Sequence, residues 1–308
     1  MDKEQKRLEQ KKDALRKRAK IIQAIRDFFV ENDYLEIETP YIIPAPAPEA
    51  YIETVRAGNS YLHPSPELCM KRILAAGYKK IFQICKCFRA KERGGLHLPE
   101  FTMLEWYSVN TDYMDLMEDC ENLVSSVSKK INGRLFVPYR NRLIDLTPPW
   151  ERLTVRDAFS LFASIDPETA IRQDCFDEIM SFKIEQHLGI KKPTFLYDYP
   201  SSCASLARIK STDQTVAERC ELFISGIEIS NGFSELTDPQ EQETRFRQET
   251  KKMQGLGISP YPTPKNFLSA LKHMPKAAGM ALGIDRLVMI LTDKDRIDDI
   301  VAFTPESL

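Results

Sequence analysis

Between about Arg7 and Asn32, apolar residues recur at helical spacing. Leu15, Ile22, Ile25 and Phe29 are seven, three and four residues apart, one apolar stripe on an otherwise charged helix. The period then changes. Tyr34-Leu-Glu-Ile-Glu38 alternates as a strand does and stops at Thr39-Pro40, ahead of a Pro/Ala-rich loop from Pro44 to Pro48. Residues 66–76 predict a short helix, and 79–89 and 100–107 two strands flanking a Gly-Gly loop. Residues 112–132 and about 155–190 read as helical. Strands return at 195–199, 220–224, 227–230 and 280–284, and a helix runs from about Arg286 to Thr292. There is no repeat, low-complexity tract or long linker. The pattern predicts one α+β domain, a mostly antiparallel sheet flanked by helices.

Three stretches carry polar residues where a strand pattern alone does not ask for them. In the second strand, period two puts Phe101, Met103, Glu105 and Tyr107 on one face. A carboxylate and a phenol among apolar side chains make a poor core. That face is either a polar pocket or a partly solvated sheet surface. Further on, Ser225-Gly226 separates two β-rich runs and predicts a two-residue hairpin turn. This register pairs Phe223 with Glu228 and puts Glu221 on the same face, the two carboxylates diagonal neighbours with backbones roughly 7–8 Å apart. Leu222, Ile224, Ile227 and Ile229 fill the opposite face. Two acids aimed one way repel unless a cation lies between them, and oxygen-only ligands suit Mg²⁺. The alternative is two solvated glutamates. Third, Gly279-Met-Ala-Leu-Gly283-Ile-Asp-Arg286 is an apolar strand turning into a helix. Arg286 then sits in the first turn, where the helix dipole disfavours a cation and an anion close by would compensate. Small-residue turns of this kind are also common without function.

Composition narrows the class. The 308 residues are 43% hydrophobic and 29% charged, enough for a sizeable core, and no apolar run approaches the roughly 18 residues of a membrane span. The first 20 residues lack the apolar stretch of a secretory signal. They hold nine Lys/Arg against four Asp/Glu, so the net charge of -2 leaves a basic arm and a remainder at -7. The arm is either a guide for an acidic partner or a solvated helix start. The seven cysteines are scattered, none in a CxxC pair, and Cys85-Lys-Cys87 is tighter than the usual zinc spacing. They read as reduced thiols, which suits a cytoplasmic protein.

Taken together, these stretches resemble the three signature motifs of class II aminoacyl-tRNA synthetases. Arg89, His97 and Glu100-Phe101 resemble motif 2, Gly283-Ile-Asp-Arg286 motif 3, and the helix leading into Leu35-Glu-Ile-Glu-Thr-Pro40 the dimer-forming motif 1. Ser65-Pro-Glu67 with Lys71-Arg72, and Asn231-Gly-Phe-Ser-Glu235, are similar to the lysine-specific branch. Position 281 is Ala where that branch usually has Gly. With Pro193-Thr-Phe, Tyr199-Pro and Ser205-Leu-Ala, this resembles the elongation factor P–(R)-β-lysine ligase family. Residues 90–91 are Ala-Lys where the family commonly has Asn-Glu, leaving Glu92 to take that acid's place near adenine.

The resemblance implies a class II catalytic domain over 21–308 behind a basic helical arm over 1–20, with no anticodon-binding OB domain. It implies a cytoplasmic homodimer that uses ATP and Mg²⁺ and transfers lysine or (R)-β-lysine to elongation factor P, with neither tRNA nor membrane as partner. Arg89 and Arg286 would be catalytic. Arg89, Glu92, His97, Phe101, Glu221 and Arg286 would bind ATP, with adenine between Phe101 and Arg286. Glu67, Arg89, Glu105, Tyr107, Asn231, Glu235 and Ala281 would bind the amino acid, and Glu221 and Glu228 the metal. The methyl of Ala281 either favours a β-amine over an α-amine or is a neutral core change. Two other readings are a truncated synthetase-like enzyme charging tRNA or another acceptor, and a non-catalytic paralogue acting as a regulatory subunit.

Overall fold

A computed structural model describes residues 3–308; Met1 and Asp2 of the expected arm lie outside the described residues. Helices α1 (Lys3–Gln10) and α2 (Lys12–Glu31) lead to the short strands β1 (Leu35–Glu36), β2 (Ile42–Ile43), β3 (Arg56–Ala57) and β4 (Ser60–Leu62). Then come α3 (Glu67–Ala75), β5 (Lys80–Phe88), β6 (Glu100–Val109) and α4 (Tyr113–Asn132). The middle of the chain holds β7 (Phe136–Tyr139), β8 (Arg142–Asp145), β9 (Glu151–Thr154), α5 (Val155–Phe162), α6 (Pro167–Arg172) and α7 (Phe176–Ile179). The last third is β10 (Thr194–Pro200), β11 (Val216–Ile224), β12 (Ile227–Ser234), α8 (Pro239–Gly255), α9 (Lys265–Leu271), β13 (Ala277–Gly283) and α10 (Ile284–Thr292).

Eight strands form one sheet in the order β1-β5-β6-β13-β12-β11-β10-β9. The β1–β5 and β9–β10 pairings at its edges are parallel and the inner pairings antiparallel. The α+β expectation holds. One face of the sheet is core: Phe82, Leu104, Trp106, Met280, Leu282, Leu222 and Ile224 pack against α2, α4 and α10. Helix α4 has the local signals for its place. Asp112 and Asp115 form a capping box at its start, Gly133 is left-handed at its end, and Leu116, Cys120, Leu123 and Val127 make its buried stripe. The other face of the central strands is only partly covered, and there the cavity opens.

Three expectations change. The buried stripe of α2 is Ala14, Ile21, Ala24, Ile25 and Phe29, with Leu15 and Ile22 on its margin. The helix also runs unbroken through residue 20, and Lys11 Nζ donates to the Val301 carbonyl at 3.0 Å, so the basic segment from Lys11 on is packed onto the body. Finally, the helical stretch expected over 155–190 is broken. Thr154 caps α5, Asp166 caps α6 with Pro167 in its first turn, and Ser164 and Asp174 take positive φ between the pieces. The polar helix α8 escaped the periodicity reading because Phe246 and Met253 are its only buried apolar side chains.

Candidate active site

A cavity of about 320 Å³ opens on the free face of the sheet. Phe101, Met103, Glu105 and Tyr107 of β6 all line it, so the alternating face is a pocket wall. Gly279, Ala281 and Gly283 of β13 lie beside them, opposite Tyr107, Glu105 and Met103 respectively. Gly279 is there for clearance. A Cβ at this position would meet the Tyr107 ring at 2.1 Å, so only glycine lets the ring lie against the strand. Ala281 has Glu105 on one side and Asn231 on the other, directly between two residues assigned to the amino acid.

The pocket is acidic at the Glu105 end. Glu105 is 2% exposed, accepts from Tyr107 Oη at 2.5 Å and Ser65 Oγ at 2.7 Å, and faces no cation directly. Burial, reinforced by Glu67, raises its carboxyl to about 8. Glu49, from the loop after Pro48, lines the same cavity; burial, then Glu67, raises it to about 7. Glu67 accepts from Lys71 at 2.5 Å, and Ser65 Oγ accepts from its backbone N–H. Glu235 does not line the cavity. It is fully buried in an ion pair with Lys71, itself 1% exposed and 5.0 Å from the centre of the Phe233 ring. Burial opposes the charge on Lys71, but Glu235 and Glu67 outweigh it and raise its pKa. The carboxylate expected to meet a substrate amine therefore already holds an internal one.

Four residues along β6, roughly 13 Å away by strand rise, the charge reverses. The Arg89 guanidinium lies 5.1 Å from the centre of the Phe101 ring, 3.7 Å from Glu92. Arg286 donates to the Glu228 carbonyl at 2.8 Å and its carboxylate at 3.2 Å, and is 2.6 Å from His97 Nε2. Burial and the adjacent Arg286 hold His97 below its ordinary value. Asp285 turns the other way, accepting from the Thr102 N–H at 2.7 Å.

The hairpin forms as expected, with Ser225 and Gly226 at φ 55° and 72°, as a type I′ turn requires. Phe223 pairs with Glu228. One step on, Leu222 pairs with Ser230 and Glu221 with Asn231, so Ile229 is an extra residue in β12. This bulge shifts the parity: Glu228 and Asn231 both face the cavity, while Ile227, Ile229 and Ser230 serve the core side. Glu221 lies behind the cavity wall. Its carboxylate accepts from Tyr199 at 2.6 Å, Arg219 at 2.7 Å and Asn231 at 2.9 Å. Burial raises it to about 7 against Arg219, and Glu228 pushes it the same way. Glu228, by contrast, is open to the cavity, its side chain 39% exposed.

The structure thus gathers Glu67, Arg89, Glu92, His97, Phe101, Glu105, Tyr107, Glu228, Asn231, Ala281 and Arg286 around one cavity, with Glu221 and Glu235 set behind it. It adds Glu49, Ser65 and Arg219. Arg219 lies over the Tyr199 ring at 4.6 Å and donates to Glu221. Period two from Glu221 marks Arg219 as its same-face neighbour. Glu49 has no such signal, since a proline-rich loop gives no parity.

The family model for class II tRNA synthetases (D, K and N) matches residues 4–307. An elongation factor P–(R)-β-lysine ligase of Vibrio atlanticus is 40% identical over 307 residues, 94% of each chain. The ligase so named from Pectobacterium carotovorum subsp. carotovorum is 40% identical over 311 residues, 95% of each, and that of Salmonella arizonae 38% over 323 residues, 94% of each.

Proposed function

Because the chain belongs to the class II tRNA synthetases and, within them, to the elongation factor P–(R)-β-lysine ligases, we propose that it activates (R)-β-lysine, or lysine, with ATP and joins it to a lysine side chain of elongation factor P. The observation that carries this is the polarity of the cavity. The buried acids at one end ionise favourably beside a cation, and the guanidinium groups at the other suit anions. A lysine-type substrate with its carboxylate against ATP meets both demands. An apolar amino acid would gain nothing from Glu105, which stays protonated unless a cation lies beside it.

Two steps follow. A substrate carboxylate oxygen attacks the α-phosphorus of ATP, and pyrophosphate leaves. The acceptor amine then attacks the activated carbonyl, an amide forms, AMP leaves and the nitrogen loses a proton. Arg89 is suited to bridge the carboxylate and α-phosphate, because a planar guanidinium offers donors to both. Adenine fits against Phe101 and Arg286, with Glu92 nearby, and His97 reaches for the terminal phosphates. Glu228, open to the cavity, offers only oxygen, as Mg²⁺ prefers, and Glu221 would join it on turning from Arg219; an ion held there would neutralise phosphate charge. Asn231, tied to Glu221, would hold the substrate carboxylate.

The motif 1 segment supports a homodimer, since Val30, Leu35, Tyr41 and Ile42 are exposed apolar side chains that a second copy would cover. Seven free thiols suit a reducing cytoplasm. Among the described residues no helix is long and apolar enough to cross a membrane.

The test is pyrophosphate exchange with both lysine isomers, followed by transfer of label to purified elongation factor P or to tRNA, with light scattering for the dimer. Labelled elongation factor P and unlabelled tRNA are expected. Labelled tRNA alone would establish the truncated-synthetase reading, and no exchange with either isomer the regulatory one.

A further inference from the structure

Cys85 and Cys87 are too close in sequence for the usual zinc spacing, but the strand changes that judgement. With a period of two, β5 sets both thiols on one face, and their sulfurs lie 3.9 Å apart. His63, from the loop after β4, approaches the same point; one imidazole nitrogen and the two sulfurs all lie within 4.8 Å of one another. All three residues are buried, at 1%, 4% and 0% exposure.

Two details point to a ligand. His63 Nε2 is 2.8 Å from the Lys86 carbonyl, which can only accept, so Nε2 carries the proton and Nδ1 keeps its lone pair. Nδ1 is buried and has no hydrogen-bond partner. A histidine with one nitrogen fixed by a carbonyl and the other bare is arranged as metal ligands are. The second detail is the sulfur separation. Two thiolates at about 2.3 Å from one ion stand about 3.8 Å apart in tetrahedral geometry and about 4.0 Å in trigonal geometry; the observed 3.9 Å needs almost no movement. Met103 Sδ, 3.8 Å from Cys87 Sγ, is a thioether at hand for a fourth position.

We propose that His63, Cys85 and Cys87 form a binding site for one soft d¹⁰ ion, Zn²⁺ or Cu⁺, beside the cavity on the sheet face that carries Phe101 and Met103. Two thiolates and an imidazole select such ions over Mg²⁺ or Ca²⁺. Binding takes both sulfurs as thiolates and releases any proton they hold. The ion would tie β5 to the loop that carries Ser65 and Glu67, two and four residues after His63, and so stiffen the acidic end of the pocket.

The test uses the whole chain, reduced and chelator-stripped without oxygen, and titrated with Co²⁺ as an optical probe for Zn²⁺. One equivalent is expected to bind with thiolate-to-cobalt charge-transfer absorption, which one equivalent of Zn²⁺ abolishes. In a second arm, Cu⁺ is supplied as its bicinchoninate complex, and stoichiometric uptake there without a cobalt band would identify a cuprous site. Cys87→Ser and His63→Gln should remove binding, and Cys175→Ser, remote from the cluster, should keep it. X-ray absorption of the metal-loaded unaltered chain should report two or three sulfurs and one nitrogen, whether or not the variants fold. No cobalt band and no Cu⁺ uptake by the unaltered chain would overturn the proposal, as would a band undiminished in folded Cys87→Ser or a first shell without sulfur.

Discussion

Arg18 on α2 and Asp285 at the start of α10 form a nearly buried ion pair across 267 positions of sequence. Arg18 also donates to Thr102 Oγ1 at 2.8 Å, and Asp285 accepts from the Thr102 backbone. One basic side chain thus fixes β6 against the helix that presents Arg286. Arg18→Met should cost about 3–5 kcal/mol in urea unfolding, because Asp285 is left charged and unpaired. Arg18→Lys should recover part of the loss. An unchanged midpoint for Arg18→Met would show that the pair does not hold these elements together.

Lys71 is the second internal cation, shared by Glu67 and Glu235. Lys71→Met should destabilise by a similar amount, about 3–5 kcal/mol, and Lys71→Met with Glu235→Gln should be more stable than the single change. A double variant no better than the single would contradict Glu235 as the group left uncompensated.

Glu105 gives a pH dependence with a definite sign. Its carboxyl is raised to about 8, so near pH 7 it is largely protonated, and a substrate ammonium favours the ionised form. Binding below that pH therefore releases a proton, and the affinity for a lysine-type amino acid should rise by up to about tenfold per pH unit towards pH 8. Titration calorimetry in buffers of different ionisation heat measures the released proton. In Glu105→Gln the release should vanish and kcat/KM for the amino acid fall about 10- to 100-fold, with ATP affinity kept. Equal losses for ATP would remove Glu105 from the amino-acid pocket.

Ala281 stands between Asn231 and Glu105, so its methyl lies between the two residues proposed to hold opposite ends of the amino acid. Ala281→Gly should shift preference from (R)-β-lysine towards lysine, by about 10-fold or more if the methyl is worth 1–3 kcal/mol. The ratio of adenylation rates with the two isomers reads it directly. A constant ratio would leave the methyl with a packing role only.

What the sequence disclosed followed local rules. The β6 face and the Ser225-Gly226 hairpin were legible because strand parity and turn chemistry act over a few residues. Glu67, Arg89, His97 and Arg286 gained their roles from motif resemblance, and the cavity brings them together. Long-range pairing lay beyond either. Nothing near Glu235 shows that Lys71, 164 positions earlier, ends beside it. Nothing near Glu221 announces Tyr199. His63 escaped for the same reason, since only folding carries it to the Cys85–Cys87 strand.

The extra residue at Ile229 sets a rule for how this pocket can change. Upstream and downstream of it, β12 is read in opposite frames, with Glu228 on an even position and Asn231 and Phe233 on odd ones. Deletion of Ile229 would remove the bulge and leave Glu228, Ser230 and Asn231 in ordinary alternation on the sides they already occupy, whereas deletion of Gly232 from the regular stretch beyond it would turn Phe233 into the hydrophobic layer. The cavity face of β12 therefore tolerates a change in residue count at the bulge alone and elsewhere can change only by replacement.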